Sequence, residues 1–291
     1  MKNKSITNFD IDKNFKNTHN VVMQKKNLFV RMWNIFENCF LKNYKCISCF
    51  KEIDDKTKFM LCETCAKDME ILHDGLCKKC GDRLNAAGGC INDCSKNRYA
   101  FSKNFSFYYY TGSAARIVKN LKYGDHKYLA KYIAEMMLDS IEKFKDFDII
   151  TFVPSSKKRL RERGFNQAEE IAKVLGENTD IKVLDLLIKT KDTIHQAGGT
   201  QKERLKNLAN SFSINDKYLD DIANKSILIV DDVFTTGSTL NECAKTVKKF
   251  NPKRIETVTF AKTKFKIMAG TEETIKIWLN SLNFEIVCEI K

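Results

Sequence analysis

The chain has 291 residues, 43% of them hydrophobic, and 50 Lys and Arg face 37 Asp and Glu for a formal net charge of +13. That length holds one sizeable domain and a smaller one, and that apolar content supplies a normal core, which excludes a disordered chain. No run of eighteen apolar residues occurs and no secretory h-region opens the chain, so a cytosolic setting is expected; the basic balance suits phosphorylated metabolites, nucleic acid or anionic surfaces.

Residues 1–27 are rich in Asn, Lys and Thr without periodicity and predict a disordered tail. From Leu28, the residues Leu28, Met32, Ile35, Phe36, Cys39 and Phe40 recur at helical spacing, which predicts a helix packed on its own protein. Eight of the eleven cysteines then fall into four pairs: Cys46 and Cys49, Cys62 and Cys65, Cys77 and Cys80, Cys90 and Cys94. In a reducing compartment such pairs point to metal, because a Cys-x2-Cys turn lets two thiolates converge on one Zn²⁺ and two turns complete a tetrahedron. Sequential pairing gives two tandem ribbons over residues 28–98, and interleaved pairing satisfies the same spacings. Either way every ligand position is filled, so the sites are expected to be structural. Gly81 follows Cys80 as knuckles prefer, whereas Phe50 follows Cys49.

Residues 99–291 read as α/β. The aromatic run Phe105–Tyr110 suits a strand. Thr111 and Ser113 suit the cap of a helix through Ile117, Val118 and Leu121, and a second helix follows from about His126 to Ile141. Asp148–Pro154 reads as the first central strand, stopped by Pro154. Behind it lies a loop with Lys157, Lys158, Arg159, Arg161 and Arg163 against Glu162 alone, and Gly164 opens the next helix. A charge run is usually a solvated face, but directly after a strand it suits a pyrophosphate or a nucleic-acid backbone. Residues 193–207 suit a mobile loop leading into a short helix; His195 there reads as an exposed histidine. Weak strands are expected at Leu184–Ile188 and Phe212–Ile214, a further strand at Arg254–Phe260, a final helix near Glu272–Leu282 and a strand at Phe284–Cys288.

The densest signal is Ile227–Leu240. Four apolar residues, Ile227–Val230, suit a strand buried on both faces. Asp231 and Asp232 follow, and then Thr235, Thr236, Gly237, Ser238 and Thr239 lead into a helix through Leu240, Ala244 and Val247. Small hydroxyl residues around a glycine at a helix start offer N–H and hydroxyl donors to a phosphate. Two carboxylates beside that cradle suit the diol of a ribose 5-phosphate. A buried strand, an acidic turn and a Thr-rich cap are each common; their unbroken order is not.

This stretch resembles the 5-phosphoribosyl-1-pyrophosphate (PRPP) motif of type I phosphoribosyltransferases. With the cysteine pairs, LKYGDHKYLA at 121–130, VPSSKKRLRERGFNQA at 153–168, and Gln196, Arg204 and Asn207, the chain resembles the ComF family over about residues 40–262. The resemblance implies a zinc ribbon ahead of a type I phosphoribosyltransferase-like central parallel sheet, and a link to DNA uptake in natural competence. It implies PRPP binding with Mg²⁺ by Asp231, Asp232, Val233, Thr235, Thr236, Gly237, Ser238 and Thr239. It also implies neutralisation of the pyrophosphate by Lys157, Arg159, Arg161 and Arg163, and a catalytic set of Asp231, Asp232 and Arg204. Single-stranded DNA and uptake proteins such as a helicase are the implied partners, and a non-catalytic PRPP- or DNA-binding factor is the rival reading. Ser156 and Lys157 stand where members often have His-Pro, and Gly199 replaces a more usual leucine.

Overall fold

The computed structural model describes residues 44–264, interrupted at 55–56, 73–74, 83, 86, 91–93, 95–98, 125, 140–143, 145 and 191–209, together with the backbone of 274–279 and 284–289. The expected tail, the helix from Leu28, Cys39, His73, His195, Gln196, Arg204 and Asn207 lie outside the described residues.

The chain divides into two compact units, one of residues Met1–Lys45 and Glu52–Lys56, the other of Cys46–Lys51 and Thr57–Lys291. In the first, β1 (Tyr44–Lys45) pairs antiparallel with β2 (Glu52–Ile53). The second holds the cysteine turns, the short α1 (Glu63–Lys67) and an α/β body.

That body is built on five parallel strands: β3 (Lys103–Tyr109), β4 (Ile149–Phe152), β5 (Lys182–Val183), β8 (Ser226–Phe234) and β9 (Arg254–Lys262). Their order is β3-β9-β8-β4-β5. Between them run α2 (Gly112–Tyr123), α3 (Leu129–Leu138), α4 (Lys157–Arg163), α5 (Gln167–Thr179) and α6 (Ser238–Lys248). β6 (Leu187–Lys189) and β7 (Phe212–Ile214) form a separate antiparallel pair. Ile227, Leu228, Ile229 and Val230 are fully buried, as an apolar run without alternation requires in a sheet covered on both faces.

The strand order positions the site. From β4 the chain moves outward to β5, then returns to lay β8 on the other side of β4 and β9 beyond it. Connections leaving β4 and β8 therefore diverge and leave a crevice at the carboxyl ends of these two strands, where open α/β sheets bind ligands.

Three local expectations change. The basic segment after β4 is a helix, not a loop: Ser156 caps it by accepting from the Arg159 N–H, and Gly164, at φ 74°, ends it in the left-handed conformation. β8 runs on through both aspartates to Phe234. The segment expected as a final helix is instead the strand β10 (Thr274–Leu279), paired antiparallel with β11 (Phe284–Glu289).

Candidate functional site

Asp231 and Asp232 lie in the last turns of the β8 ladder, opposite the β9 segment that begins at Thr259. Alternation along a strand sends neighbouring side chains to opposite sides, and the two carboxylates meet different surroundings. Asp231 acts electrostatically on the buried thiol of Cys243, on α6, and its Oδ1 accepts from the Asp232 N–H at 2.9 Å. Burial, and then the charge of Asp232, push its carboxyl up to about 7. Asp232 is buried and forms an ion pair with Lys122, at the end of α2, at 3.1 Å.

Thr235, Thr236 and Gly237 turn the chain from β8 into α6. Gly237 holds φ 71°, and a Cβ there would sit 2.4 Å from Cζ of Phe234, so only glycine fits the turn. Thr236 Oγ1 lies 2.7 Å from Ser238 Oγ, and Tyr99 Oη donates to the Thr236 carbonyl at 3.1 Å. The first turn of an eleven-residue helix carries unpaired N–H groups and a partial positive charge. No acidic side chain occupies that turn, and Thr235, Thr236, Ser238 and Thr239 all keep solvent contact. Val233 is buried, and its contribution to the ladder is its pairing with Ala261.

Across the crevice α4 sorts the five basic residues. Arg159 and Arg163, one helical turn apart, share a half-buried face, whereas Lys157, Lys158 and Arg161 are exposed. Arg159 acts electrostatically on Asp231. Arg163 donates to Gln167 Oε1 at 3.2 Å and lies over the Tyr123 ring at 5.2 Å. Asn166 ties the start of α5 to β4: Nδ2 donates to the Val153 carbonyl, and Oδ1 accepts from the Ala168 N–H and from Ser155.

The cysteines form two groups, Cys46, Cys49, Cys62 and Cys65, and Cys77, Cys80, Cys90 and Cys94. Pairing is thus sequential. Four Zn–S bonds of about 2.3 Å in a tetrahedron put neighbouring sulfurs about 3.8 Å apart. The Sγ separations are 3.8 Å for Cys49 and Cys62, 3.4 Å for Cys80 and Cys90 and 3.5 Å for Cys90 and Cys94, so both sets fit the ion. Phe50 and Gly81, each after the second cysteine of a turn, take φ of 58° and 71°.

Sequence reasoning missed what surrounds these groups. Arg116 on α2 donates to Ser48 Oγ, Asp68 Oδ2 and Cys65 Sγ, and Asn120 donates to the Ile47 and Ser48 carbonyls. Beside the second group, Asp82 pairs at 3.1 Å with Lys262, which is 1% exposed at the end of β9 and lies over the Phe234 ring. Lys122 was marked only by its place in LKYGDHKYLA.

Fold and site define a type I phosphoribosyltransferase-like protein. The family model described as "Phosphoribosyl transferase domain" matches residues 122–287, more than half of the chain. Competence protein F of Haemophilus influenzae is 27% identical over 221 residues, 74% of this chain and 95% of that protein. Competence protein ComFC of Streptococcus pneumoniae is 26% identical over 200 residues, 68% and 85% respectively. DNA utilization protein YhgH of Salmonella typhi is 25% identical over 209 residues, 64% and 89%. The chain belongs to the phosphoribosyl transferase domain family and, within it, to the ComF family. Among the described residues no helix is long and apolar enough to cross a membrane.

Proposed function

We propose that this protein binds PRPP with Mg²⁺ in the crevice between β4 and β8, and transfers its phosphoribosyl group in a pathway linked to DNA uptake. The observation that carries this reading is the carboxylate pair and the anion-ready turn of β8–α6 opposite the Arg159–Arg163 face of α4. A ribose lying across the end of β8 can donate one hydroxyl to Asp232 and the other to Asp231. Thr235, Thr236, Gly237, Ser238 and Thr239 hold the 5-phosphate through N–H groups and hydroxyls. Arg159 and Arg163 face the departing pyrophosphate, with Lys157 and Arg161 adding long-range charge, and the family resemblance adds Arg204 to this set. Mg²⁺, when bound with the donor, neutralises part of the phosphate charge. The chain's own share is placement and charge stabilisation at the sugar's C1. Zn²⁺ in the two cysteine groups is structural, since neither group leaves a ligand position open.

The test is calorimetry with PRPP and Mg²⁺. Wild type binds; the double variant Asp231→Asn, Asp232→Asn loses binding and keeps its zinc. Unchanged affinity in that variant refutes the assignment. Pyrophosphate release with candidate acceptors then separates an enzyme from a binding protein.

A second reading is favoured by one observation. Tyr123 and Tyr128, 68% and 52% exposed, lie on the segment that ends α2 and leads to α3, and Tyr123 stacks with Arg163. Exposed aromatics interleaved with basic residues suit stacked bases of single-stranded DNA. Binding that weakens steeply with salt and is lost in Tyr123→Ala supports it; binding indifferent to that change removes it.

A further inference from the structure

We propose that Lys122 is a donor-binding residue of the phosphoribosyl site: its ammonium holds Asp232 in the empty site and moves to the diphosphate of the sugar donor when a ribose hydroxyl takes its place. This rests on the PRPP reading above and adds a residue to it.

The first ground is the pair itself. Lys122 Nζ stands 3.1 Å from Asp232 Oδ2, with the two side chains 16% and 11% exposed. A pair so far out of water is costly to form, and its attraction seldom repays that cost by much. Its place is telling: it occupies an oxygen of the carboxylate a ribose diol needs. A donor entering this crevice must share that oxygen or displace the ammonium. Lysine suits displacement, being a compact charge with three rotatable donors on a flexible stem.

The second ground is the stem's anchor. Two and six residues before Lys122, Asn120 and Arg116 fasten α2 to the first cysteine group, through the Ile47 and Ser48 carbonyls, Ser48 Oγ and Asp68. The helix is held, so the side chain alone moves, and its travel is confined to the neighbourhood of the carboxylates and of whatever is bound there.

The third ground is independent of the ion pair. Tyr110, at the carboxyl end of β3, is 3% exposed, and its hydroxyl has no hydrogen-bond partner among the described residues. Its N–H donates to the Lys262 carbonyl, which fixes the residue at the crevice edge, and its hydroxyl feels the charges of Asp232 and Tyr123. Burial first, then those charges, raise its pKa, so it stays a neutral donor. A buried hydroxyl with nothing to bond costs stability unless a ligand completes it. With Lys122 it forms a donor pair beside Asp232, and Arg163 of α4 lies over the ring of the adjacent Tyr123, so that a diphosphate in the crevice meets cations from both α2 and α4.

The experiment titrates the full-length wild type, Lys122→Met, Lys122→Arg and Tyr110→Phe by calorimetry. Two probes are used: PRPP, and ribose 5-phosphate, which has the diol and phosphate without the diphosphate. Lys122→Met is expected to weaken PRPP at least tenfold while ribose 5-phosphate binds as in wild type or tighter, because its competitor for Asp232 is gone. Lys122→Arg is expected to stay within a few-fold of wild type for PRPP, and Tyr110→Phe to weaken PRPP more than ribose 5-phosphate. Melting temperature and zinc content identify a variant that has not folded, and Lys122→Arg then decides. Equal losses for both probes would make the pair purely structural, and no loss for either would make it incidental; each overturns the inference alone. A wild type that binds neither probe overturns the inference together with the PRPP reading.

Discussion

Asp231→Asn should make the protein more stable while removing function. Free in an unfolded chain, the Asp231 carboxyl titrates near 3.8; in the fold, burial and the charge of Asp232 raise it to about 7. Below pH 3.8 both states hold the proton and the residue is neutral in its effect. Between there and pH 7 only the native state holds it, so native stability falls as pH rises. Above 7 the penalty is complete. The difference is about 3 pH units, and at about 1.4 kcal/mol per unit the ceiling is about 4 kcal/mol. Asp231 keeps some solvent contact, so roughly 2–4 kcal/mol is the working range. Asparagine is isosteric, cannot ionise, and still offers an oxygen to the Asp232 N–H. At roughly 2–4 °C per kcal/mol, the variant should melt roughly 4–16 °C above wild type at pH 8 and with it at pH 4. Scanning calorimetry without PRPP or divalent ions, from pH 4 to 8.5, reads this difference. Proton competition at the cysteines is common to both proteins and cancels in the difference curve. Parallel melting curves, or an advantage that shrinks as pH rises, would refute the reasoning.

Asp82→Asn removes the carboxylate from Lys262, which is 1% exposed, and leaves a buried ammonium without that partner; a loss of about 3–5 kcal/mol in urea unfolding is expected, with zinc content of the folded protein retained. Arg116→Ala removes the bonds to Ser48, Asp68 and Cys65. Outer contacts of that kind are worth about 10–100-fold in metal affinity. A chelator competition should therefore show one of two zinc ions leaving at least tenfold more readily than in wild type, with the second unchanged.

What was legible in the sequence was what is local. Cys-x2-Cys spacings announce ligand turns wherever they lie, and the run Ile227–Val230 followed by Asp231 and Asp232 announces a strand end. Which turns share an ion depends on their meeting in space, and spacing alone left that open. The basic helix α4 was hidden because it buries none of its residues and so has no apolar stripe to give a 3.6-residue period; its signs were Ser156 at one end and Gly164 at the other. β8 outran its apolar run because a strand end at a crevice can carry carboxylates that hydropathy counts against it. At the C-terminus the signal was present and misread: Ile275, Ile277 and Leu279 alternate at period two, with Thr274 and Trp278 also strand formers. Lys122 and Asp232 lie far apart in sequence, and no local pattern joins them.

The cysteine groups, read from sequence as a domain ahead of the phosphoribosyltransferase-like fold, share elements with its crevice. The first is fastened to Arg116 and Asn120 of α2, whose end brings Lys122 to Asp232. The second lies between Asp82, partner of Lys262 at the end of β9, and Tyr99, which donates to the Thr236 carbonyl in the β8–α6 turn. Ala100 N–H, beside Tyr99, donates to Asn241 on α6. Each group therefore reaches a different half of the crevice, the first the carboxylate end and the second the β8–α6 turn. Loss of metal from the first should reach the ribose contacts through α2, and loss from the second should loosen the turn around Gly237. On this geometry an ion held by either cysteine group would serve the fold by holding the walls of the crevice proposed for the donor.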